Sequence, residues 1–181
     1  MLFRSNAKLS TFLQLHFFTD VYQFPWLRYT INRPSRGREW LFQLVYEPSK
    51  TIQYSAIFRS EIKDQNVATA LAPGPLKLVL ALQKSVWRVQ WQQKITDFST
   101  FTIRAEALTI KMPGNKLNHG FLSFFDWRFK WAKTGFFSQV RCQYFNTDSY
   151  ESTVYAFTPQ IGSNFQLSQF SGKGENIKIG R

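Results

Sequence analysis

Three oxygen-bearing side chains lie close together in the stretch "QYFNTDSYESTVYAF" at residues 143–157. Asn146, Asp148 and Glu151 fall within a few positions of one another, and such side chains are the ligands that calcium prefers. The stretch lacks the glycine and the distal bidentate glutamate of the helix-flanked calcium loop. The pattern therefore does not predict a metal site.

The same stretch has the composition of a turn. Asn and Asp favour turns because their side chains form hydrogen bonds to nearby backbone groups and because they tolerate left-handed conformations. We therefore interpret Asn146–Ser152 as a polar turn. It is predicted to reverse one aromatic strand, Gly135–Phe145, into another that begins near Ser152.

The remaining reactive residues do not form a catalytic constellation. The two histidines, His16 and His119, have no Cys or acidic cluster beside them in the sequence, as a zinc site would require. Cys142 is the only cysteine, so no disulfide can form within the chain. The stretch "SGKGE" lacks the upstream spacing of a phosphate-binding loop and is interpreted as a tight turn. We predict no catalytic, cofactor-binding or metal-binding residues, no cofactor and no enzymatic activity.

The chain is basic and rich in aromatic residues. Its 181 residues carry a formal net charge of +12, and 18% of them are aromatic. This aromatic content excludes an intrinsically disordered chain, and the length suits a single domain with a sizeable core. The positive charge favours anionic partners, which include outer-membrane lipid, lipopolysaccharide and nucleic acid. Nothing in the sequence indicates a protein partner.

Neither a secretory signal peptide nor a membrane-spanning helix is predicted. The stretch "MLFRSNAKLSTFLQLHFFTD" interrupts its apolar residues with polar ones and has no small-residue cleavage site. The longest apolar run, around "LKLVLAL", contains Lys77 and is far shorter than the roughly 20 residues that a spanning helix needs. We assign residues 1–12 to a poorly defined N-terminal segment and residues 13–181 to one β-barrel domain, whole or partial.

Alternation with a period of two recurs along the chain and predicts β-strands. In "VWRVQWQQ", Trp87, Val89 and Trp91 share one face, whereas Arg88 and Gln90 share the other. The stretches "TFTIRAEALTI" and "GFLSFFDWRFKW" alternate in the same way. These segments are longer than the 5 to 6 residues of an ordinary strand and suit the 9 to 11 that a tilted membrane strand needs.

Charged side chains in the middle of the predicted strands fall on one face only, opposite the aromatic residues. We predict that they form a polar ladder facing a barrel lumen. Two interpretations remain open: a mutually paired ladder that fills the interior, or a pore that favours anions because arginines outnumber acids. The predicted ladder consists of Arg59, Glu61, Arg88, Arg104, Glu106, Asp126, Arg128 and Arg141.

The predicted connections alternate in length. Tight turns are expected at "EPSK", "KITDF" and "AKTG", and longer polar loops between them. Short turns at one end and longer loops at the other are typical of outer-membrane barrels. We therefore predict an all-β, antiparallel up-and-down meander of about 9 to 11 strands. It would be a transmembrane β-barrel or the C-terminal part of one. The predicted strands include Leu13–Phe18, Pro25–Asn32, Arg38–Tyr46, Thr51–Lys63, Gln83–Gln93, Phe98–Lys111, His119–Trp131, Gly135–Phe145, Ser152–Thr158, Ser163–Phe170 and Glu175–Gly180.

Several stretches resemble one known family. "FPWLRYTINRPSRGREWLFQLVYEPSKTIQYSAIFRSE", "GFLSFFDWRFKW" and "FNTDSYESTVYAF" followed by "FSGKG" occur in this order. They resemble large Bacteroidetes proteins that end in an outer-membrane β-barrel and are described as helix-hairpin-helix, competence-protein-like proteins. The resemblance implies the C-terminal barrel region of such a protein, located in the bacterial outer membrane. Only "ENIKIGR" follows "FSGKG" here, where the family usually has a full terminal strand.

Two functions follow as hypotheses. The first is an integral outer-membrane β-barrel protein with a non-enzymatic pore, transport or anchoring role. The alternative is a soluble basic β-sheet protein that binds nucleic acid or another polyanion, since basic and aromatic side chains together suit stacking on bases. The alternation argues against this alternative, because a stacking platform needs aromatic and cationic side chains on the same face.

Overall fold

The computed structural model describes residues 2–27, 31, 33–67, 78–112, 116–131, 136–159 and 165–180. These residues form an all-β structure. None of the described segments forms an apolar helix of membrane-spanning length. The described strands are β1 (Leu2–Lys8), β2 (Leu13–Phe24), β3 (Ser35–Ser49), β4 (Ile52–Val67), β5 (Leu78–Thr96), β6 (Ser99–Lys111), β7 (Leu117–Lys130), β8 (Phe137–Thr147), β9 (Val154–Pro159), β10 (Phe165–Phe170) and β11 (Lys173–Gly180).

Nine of these strands form one antiparallel sheet. Strands β1 to β7 each pair with the next strand along the chain, and β8 pairs with β11 at the far edge. Strands β9 and β10 form a separate two-stranded hairpin. The prediction of an all-β antiparallel meander is thus confirmed for the large sheet.

The long alternating segments of the sequence become the long strands of the sheet. The longest described strand, β5, has 19 residues, and β4 pairs with it continuously from Ile52 to Val67. Tight turns lie at residues 50–51 and 97–98, within the predicted "EPSK" and "KITDF" turns. The predicted "AKTG" turn lies at residues 132–135, outside the described residues.

The N-terminal segment that the sequence left poorly defined contains strand β1. All seven residues of β1 are exposed, and the strand is held by its backbone ladder to β2. Because neither face of β1 is buried, apolar and polar residues do not alternate along it, and alternation could not identify it. The predicted strand Pro25–Asn32 is only partly described: Pro25, Trp26 and Leu27 are not extended strand, and Ile31 forms an isolated bridge.

The prediction for the end of the chain is wrong in its strand pairing. The segment near Ser152 was expected to pair directly with the strand before it, but β11 takes that place beside β8. Strand β9 pairs with β10 instead. The reason is burial: Val154 and Ala156 of β9 and Phe170 of β10 are buried in an apolar cluster on one face of the sheet.

That cluster defines a covered face, which we call the hairpin face. Leu82 of β5, Leu108 and Ile110 of β6, and Leu122 of β7 form its floor beneath β9 and β10. Gly120 permits the close approach, because a Cβ at this position would collide with the carbonyl oxygen of Ser152. The structure's apolar core thus lies between the hairpin and one end of the sheet.

The opposite side of the sheet, which we call the aromatic face, is exposed. The exposed side chains there are large and apolar, and Trp87 of β5 and Trp127 of β7 are 61% and 47% exposed. Because side chains alternate between the two faces of a strand, the same β5 places Arg88 on the hairpin face and Val89 on the aromatic face.

Candidate functional site

The eight residues of the predicted polar ladder all lie on the hairpin face. Directly paired residues of an antiparallel sheet share a face, and Arg88 pairs with Glu106, which places β5 and β6 in common register. Asp126 pairs likewise with Arg141 across β7 and β8. The remaining four residues lie an even number of positions from a residue of their own strand that is already on this face. They are Arg59 and Glu61 of β4, Arg104 of β6 and Arg128 of β7.

Arg88 and Glu106 form a close ion pair in the middle of the sheet. The Arg88 Nε atom donates to Glu106 Oε2 at 2.7 Å, and the Glu106 side chain is 8% exposed. On the adjacent pair of positions, Arg104 donates from both Nε and Nη2 to the Gln90 side-chain oxygen, at 2.9 and 2.7 Å. These contacts cross from β5 to β6 and hold the two strands in register.

Asp126 is the centre of the most buried polar group. Its side chain is 0% exposed, and Arg141 Nη2 donates to its Oδ2 at 2.8 Å. The Gln139 side-chain amide donates to both of its oxygens, at 2.6 and 2.7 Å. Arg128 Nε lies 3.5 Å from Oδ2. Two cations and an amide thus compensate one buried carboxylate, as burial of a charge requires.

The two remaining ladder residues pair with neighbours that sequence reasoning missed. Arg59 Nε lies 2.7 Å from Glu39 Oε1 on β3. Glu61 Oε1 lies 3.3 Å from Lys63 Nζ, two residues along the same strand. The ladder is therefore a series of local polar groups rather than one cluster: Arg104 binds the neutral Gln90 amide, and Asp126 holds two arginines. Alternation in β3 could have placed Glu39 on the polar face. Its pairing with Arg59 follows only from the register between β3 and β4.

Phe124 lies between two of the ladder arginines. The guanidinium carbon of Arg141 is 4.2 Å from the centre of its ring, and that of Arg104 is 5.0 Å away. A guanidinium over an aromatic ring is attracted by the negative face of the ring. This contact stabilises the two cations in a region where water is scarce.

Arg141 also connects the sheet to the hairpin. Its Nη1 atom donates a hydrogen bond to the carbonyl oxygen of Phe157 in β9. One arginine thus binds a carboxylate of β7 and the backbone of the hairpin together. A second connection is made by the rings of Phe145 in β8 and Phe170 in β10, whose centres are 5.1 Å apart.

The turn predicted at Asn146–Ser152 begins two residues later, at Asp148, because Asn146 and Thr147 continue β8. It leads the chain out of the sheet and onto the hairpin face. Asp148 Oδ2 accepts a hydrogen bond from the His119 backbone N–H at 2.8 Å. The carboxyl of Glu151 accepts hydrogen bonds from its own backbone N–H and from Ser149, which hold its pKa below the ordinary value. Among the described residues, no group of three or more His, Cys, Asp or Glu side chains is placed to hold a metal ion.

The other candidate residues have ordinary structural partners. The His16 ring lies 2.8 Å from the side-chain oxygen of Asn6 on β1, and His119 Nδ1 lies 3.4 Å from the Thr109 hydroxyl. Cys142 is an exposed free thiol. In "SGKGE", Gly172 has a φ of 83°, a conformation that favours glycine, and it reverses the chain between β10 and β11.

The aromatic face carries continuous rows of apolar side chains. In one row, directly paired residues follow one another across seven strands, and the rings of Tyr54 and Trp91 stack 6.2 Å apart. In three of these strands a polar residue stands on the same face eight residues further along, at Arg38 of β3, Gln83 of β5 and Lys111 of β6. The members of the row are Tyr46, Tyr54, Trp91, Ile103, Phe125, Cys142 and Ile177.

Comparison of the chain with protein-family models, with curated proteins and with solved structures finds no match. Its function is therefore argued from its own geometry.

Proposed function

We propose that this chain is an integral outer-membrane β-barrel protein, or the barrel portion of one, with a non-enzymatic pore, transport or anchoring role. The observation that carries the proposal is the distribution of burial between the two faces. Asp126 and Arg141 are 0% and 6% exposed, whereas Trp87 is 61% exposed. A protein whose sheet faces water buries its aromatic residues and exposes its charges. A barrel in lipid does the reverse.

The height of the apolar band supports the same proposal. On the aromatic face of β6, apolar residues occupy every second position from Phe101 to Ala107, and Thr109 and Lys111 follow. The six residue-to-residue steps from Phe101 to Ala107 cover roughly 20 Å. This is close to the apolar band of about 25 Å that surrounds an outer-membrane barrel.

Membrane insertion sets one requirement on the sheet. Hydrocarbon offers no partner to backbone N–H and C=O groups, so a spanning sheet must have no free edge. The edges of this sheet are β1 and β11. In the proposed membrane form both edges are paired, so that the ladder residues face an enclosed interior.

The hairpin favours an anchoring or gated role over that of an open channel. It covers the hairpin face of β5 to β8 at one end, and Arg141 binds it through the carbonyl oxygen of Phe157. Further along the same face, the ion pairs of Arg88 and Asp126 occupy the space above the sheet. We therefore expect the hairpin and these ion pairs to obstruct a passage through the closed barrel.

Fractionation tests the proposal directly. The chain is expressed in a bacterium with an outer membrane, and the membrane and aqueous fractions are separated. We expect the protein in the membrane fraction, soluble only with detergent, with an electrophoretic mobility that changes on heating because the barrel unfolds. A protein that is soluble without detergent and binds DNA with a steep salt dependence would instead support a polyanion-binding function.

A further inference from the structure

A cavity of about 600 Å³ lies where the hairpin leaves the sheet. It is bounded by the ends of β4, β5 and β6 and by the segment that leads into β9. Its floor is apolar and includes Leu82 and Ile110, which belong to the buried cluster. Tyr150 and Tyr155 stand at its rim, where both are exposed to solvent. Cavities of roughly 300–1,000 Å³ are typical of small-molecule sites.

Two lysines give this cavity its charge. Lys63 and Lys84 both line it. Glu61 Oε1 lies 3.3 Å from the Lys63 ammonium. Glu61 also stands directly opposite the half-buried Lys84 across β4 and β5, but Lys84 makes no ion pair within 4 Å among the residues that the structure describes. A half-buried cation is costly to leave without a partner. Because Glu61 serves both lysines, the two lysines together carry more positive charge than this carboxylate offsets.

The acidic residue of the lining does not supply this partner. Glu151 lies on the cavity wall, but its carboxyl is bound by its own backbone N–H and by Ser149. The Thr153 hydroxyl, also on the wall, donates to the carbonyl oxygen of Tyr150. The polar groups around the entrance are thus engaged with one another, and the Lys84 ammonium remains the group available to a ligand.

We propose that this cavity binds a small anion with an aromatic body, such as an aryl carboxylate or an aryl phosphate. The anionic group pairs with Lys84, and the aromatic body lies over Leu82 and Ile110 between the two tyrosine rings. Aromatic rings favour offset or edge-to-face contacts with one another, which the two tyrosines at the rim can provide. The site is on the hairpin face and does not depend on whether the aromatic face contacts lipid.

Isothermal titration calorimetry on the full chain in detergent micelles tests this proposal. The probes are phenyl phosphate, inorganic phosphate and phenol. We expect saturable 1:1 binding of phenyl phosphate, with weaker binding of inorganic phosphate and of phenol, because each of these lacks one half of the ligand. Added salt is expected to weaken the binding of phenyl phosphate but not that of phenol.

Variants of Lys84 locate the site. Lys84→Met keeps the length of the side chain and removes its charge, and it is expected to weaken the binding of phenyl phosphate about tenfold. Lys84→Arg keeps the charge and is expected to retain most of the affinity. Lys50→Met removes an exposed charge in the turn between β3 and β4 and is the matched control, with no expected change.

Three results would overturn the proposal: no saturable binding to the unmodified chain, equal binding by Lys84→Met, or an equal loss in Lys50→Met. Heat-dependent mobility is measured on the same samples. A barrel that fails to bind phenyl phosphate would disprove the ligand site and leave the proposed membrane function standing. A protein that binds phenyl phosphate but is soluble without detergent would disprove the proposed membrane function and leave the ligand site standing.

Discussion

At the scale of single residues, Asp126 and its partners show how the structure keeps charges away from water. The carboxylate is completely buried and is bound by Arg141 and Gln139. The sequence located Asp126 and Arg141 on a common polar face, because alternation fixes the face of each residue. It could not predict their pairing, since the register between β7 and β8 depends on which residues the connection places opposite each other. Gln139 was missed because an amide in a polar run has no distinctive signal.

Replacement of Asp126 is expected to destabilise the protein strongly. Asp126→Asn keeps the shape of the side chain but leaves the buried guanidinium of Arg141 without its counter-charge. Breaking one half of a buried ion pair costs about 3–5 kcal/mol. Chemical denaturation in detergent, followed by tryptophan fluorescence, should show this loss in the free energy of unfolding.

The matched control for this substitution is Asp97→Asn. Asp97 forms an ion pair with Lys94 at 2.8 Å, but it is highly exposed in the turn between β5 and β6. Its hydrogen bond with Lys94 lowers the pKa of the carboxyl, yet solvent screens such a pair. We expect no measurable change in stability. Equal effects of the two substitutions would contradict the structural role assigned to Asp126.

At the scale of elements, the hairpin of β9 and β10 is the feature that the sequence did not predict. Val154 and Ala156 alternate with Tyr155 and Phe157, as they would in any strand of the large sheet. Alternation identifies a strand but not the element that covers its buried face. Strands β3 to β8 were predictable because each pairs with its neighbour in sequence, whereas β2 pairs directly with β3 and not with the strand predicted at Pro25–Asn32. Strand β8 pairs with β11, although β9 and β10 lie between them in the sequence. Alternation does not predict a pairing between strands that are not neighbours in sequence.

Substitution of Gly120 is expected to displace the hairpin. In Gly120→Ala the added methyl group would collide with the carbonyl oxygen of Ser152 and lie 3.2 Å from Cγ1 of Val154. The carbonyl belongs to the backbone and cannot rotate away. Limited chymotrypsin digestion should therefore cut faster at Tyr155 and Phe157 than in the unmodified protein.

Ser123→Ala serves as the control for this digestion, because Ser123 lies on the same strand but on the aromatic face. Its cleavage pattern should match that of the unmodified protein. Undiminished protection of the hairpin in Gly120→Ala would show that β9 does not depend on this close approach.

At the scale of the whole molecule, the question is what covers the aromatic face. Rows of apolar side chains cross the sheet at constant height, and polar residues follow them at one end. An exposed apolar surface of this extent marks a site of contact with a membrane or another protein. The band height and the charged opposite face favour lipid. Composition and alternation alone could not distinguish a membrane barrel from a soluble sandwich, because both alternate in the same way. The proposal of a membrane barrel therefore rests on the distribution of burial between the two faces.

An arginine in the middle of the apolar band is expected to be far more costly than one at its end. Trp87→Arg should lower the free energy of unfolding in lipid vesicles by about 2–4 kcal/mol, as for a barrel position at the bilayer midplane. Gln83→Arg changes the same face of the same strand where polar residues begin, and a cost of about 0–1 kcal/mol is expected there. If Trp87 faced water, its replacement by arginine would be nearly neutral, since surface substitutions usually are.

The most direct test of the central claim is the environment of Trp87 itself. The other five tryptophans are replaced by phenylalanine, and the protein is reconstituted into vesicles whose acyl chains carry bromine. We predict that brominated lipid strongly quenches the fluorescence of Trp87 and that aqueous iodide does not. Quenching of Trp87 by iodide, with no effect of brominated lipid, would contradict the claim that the aromatic face of this sheet lies in a membrane.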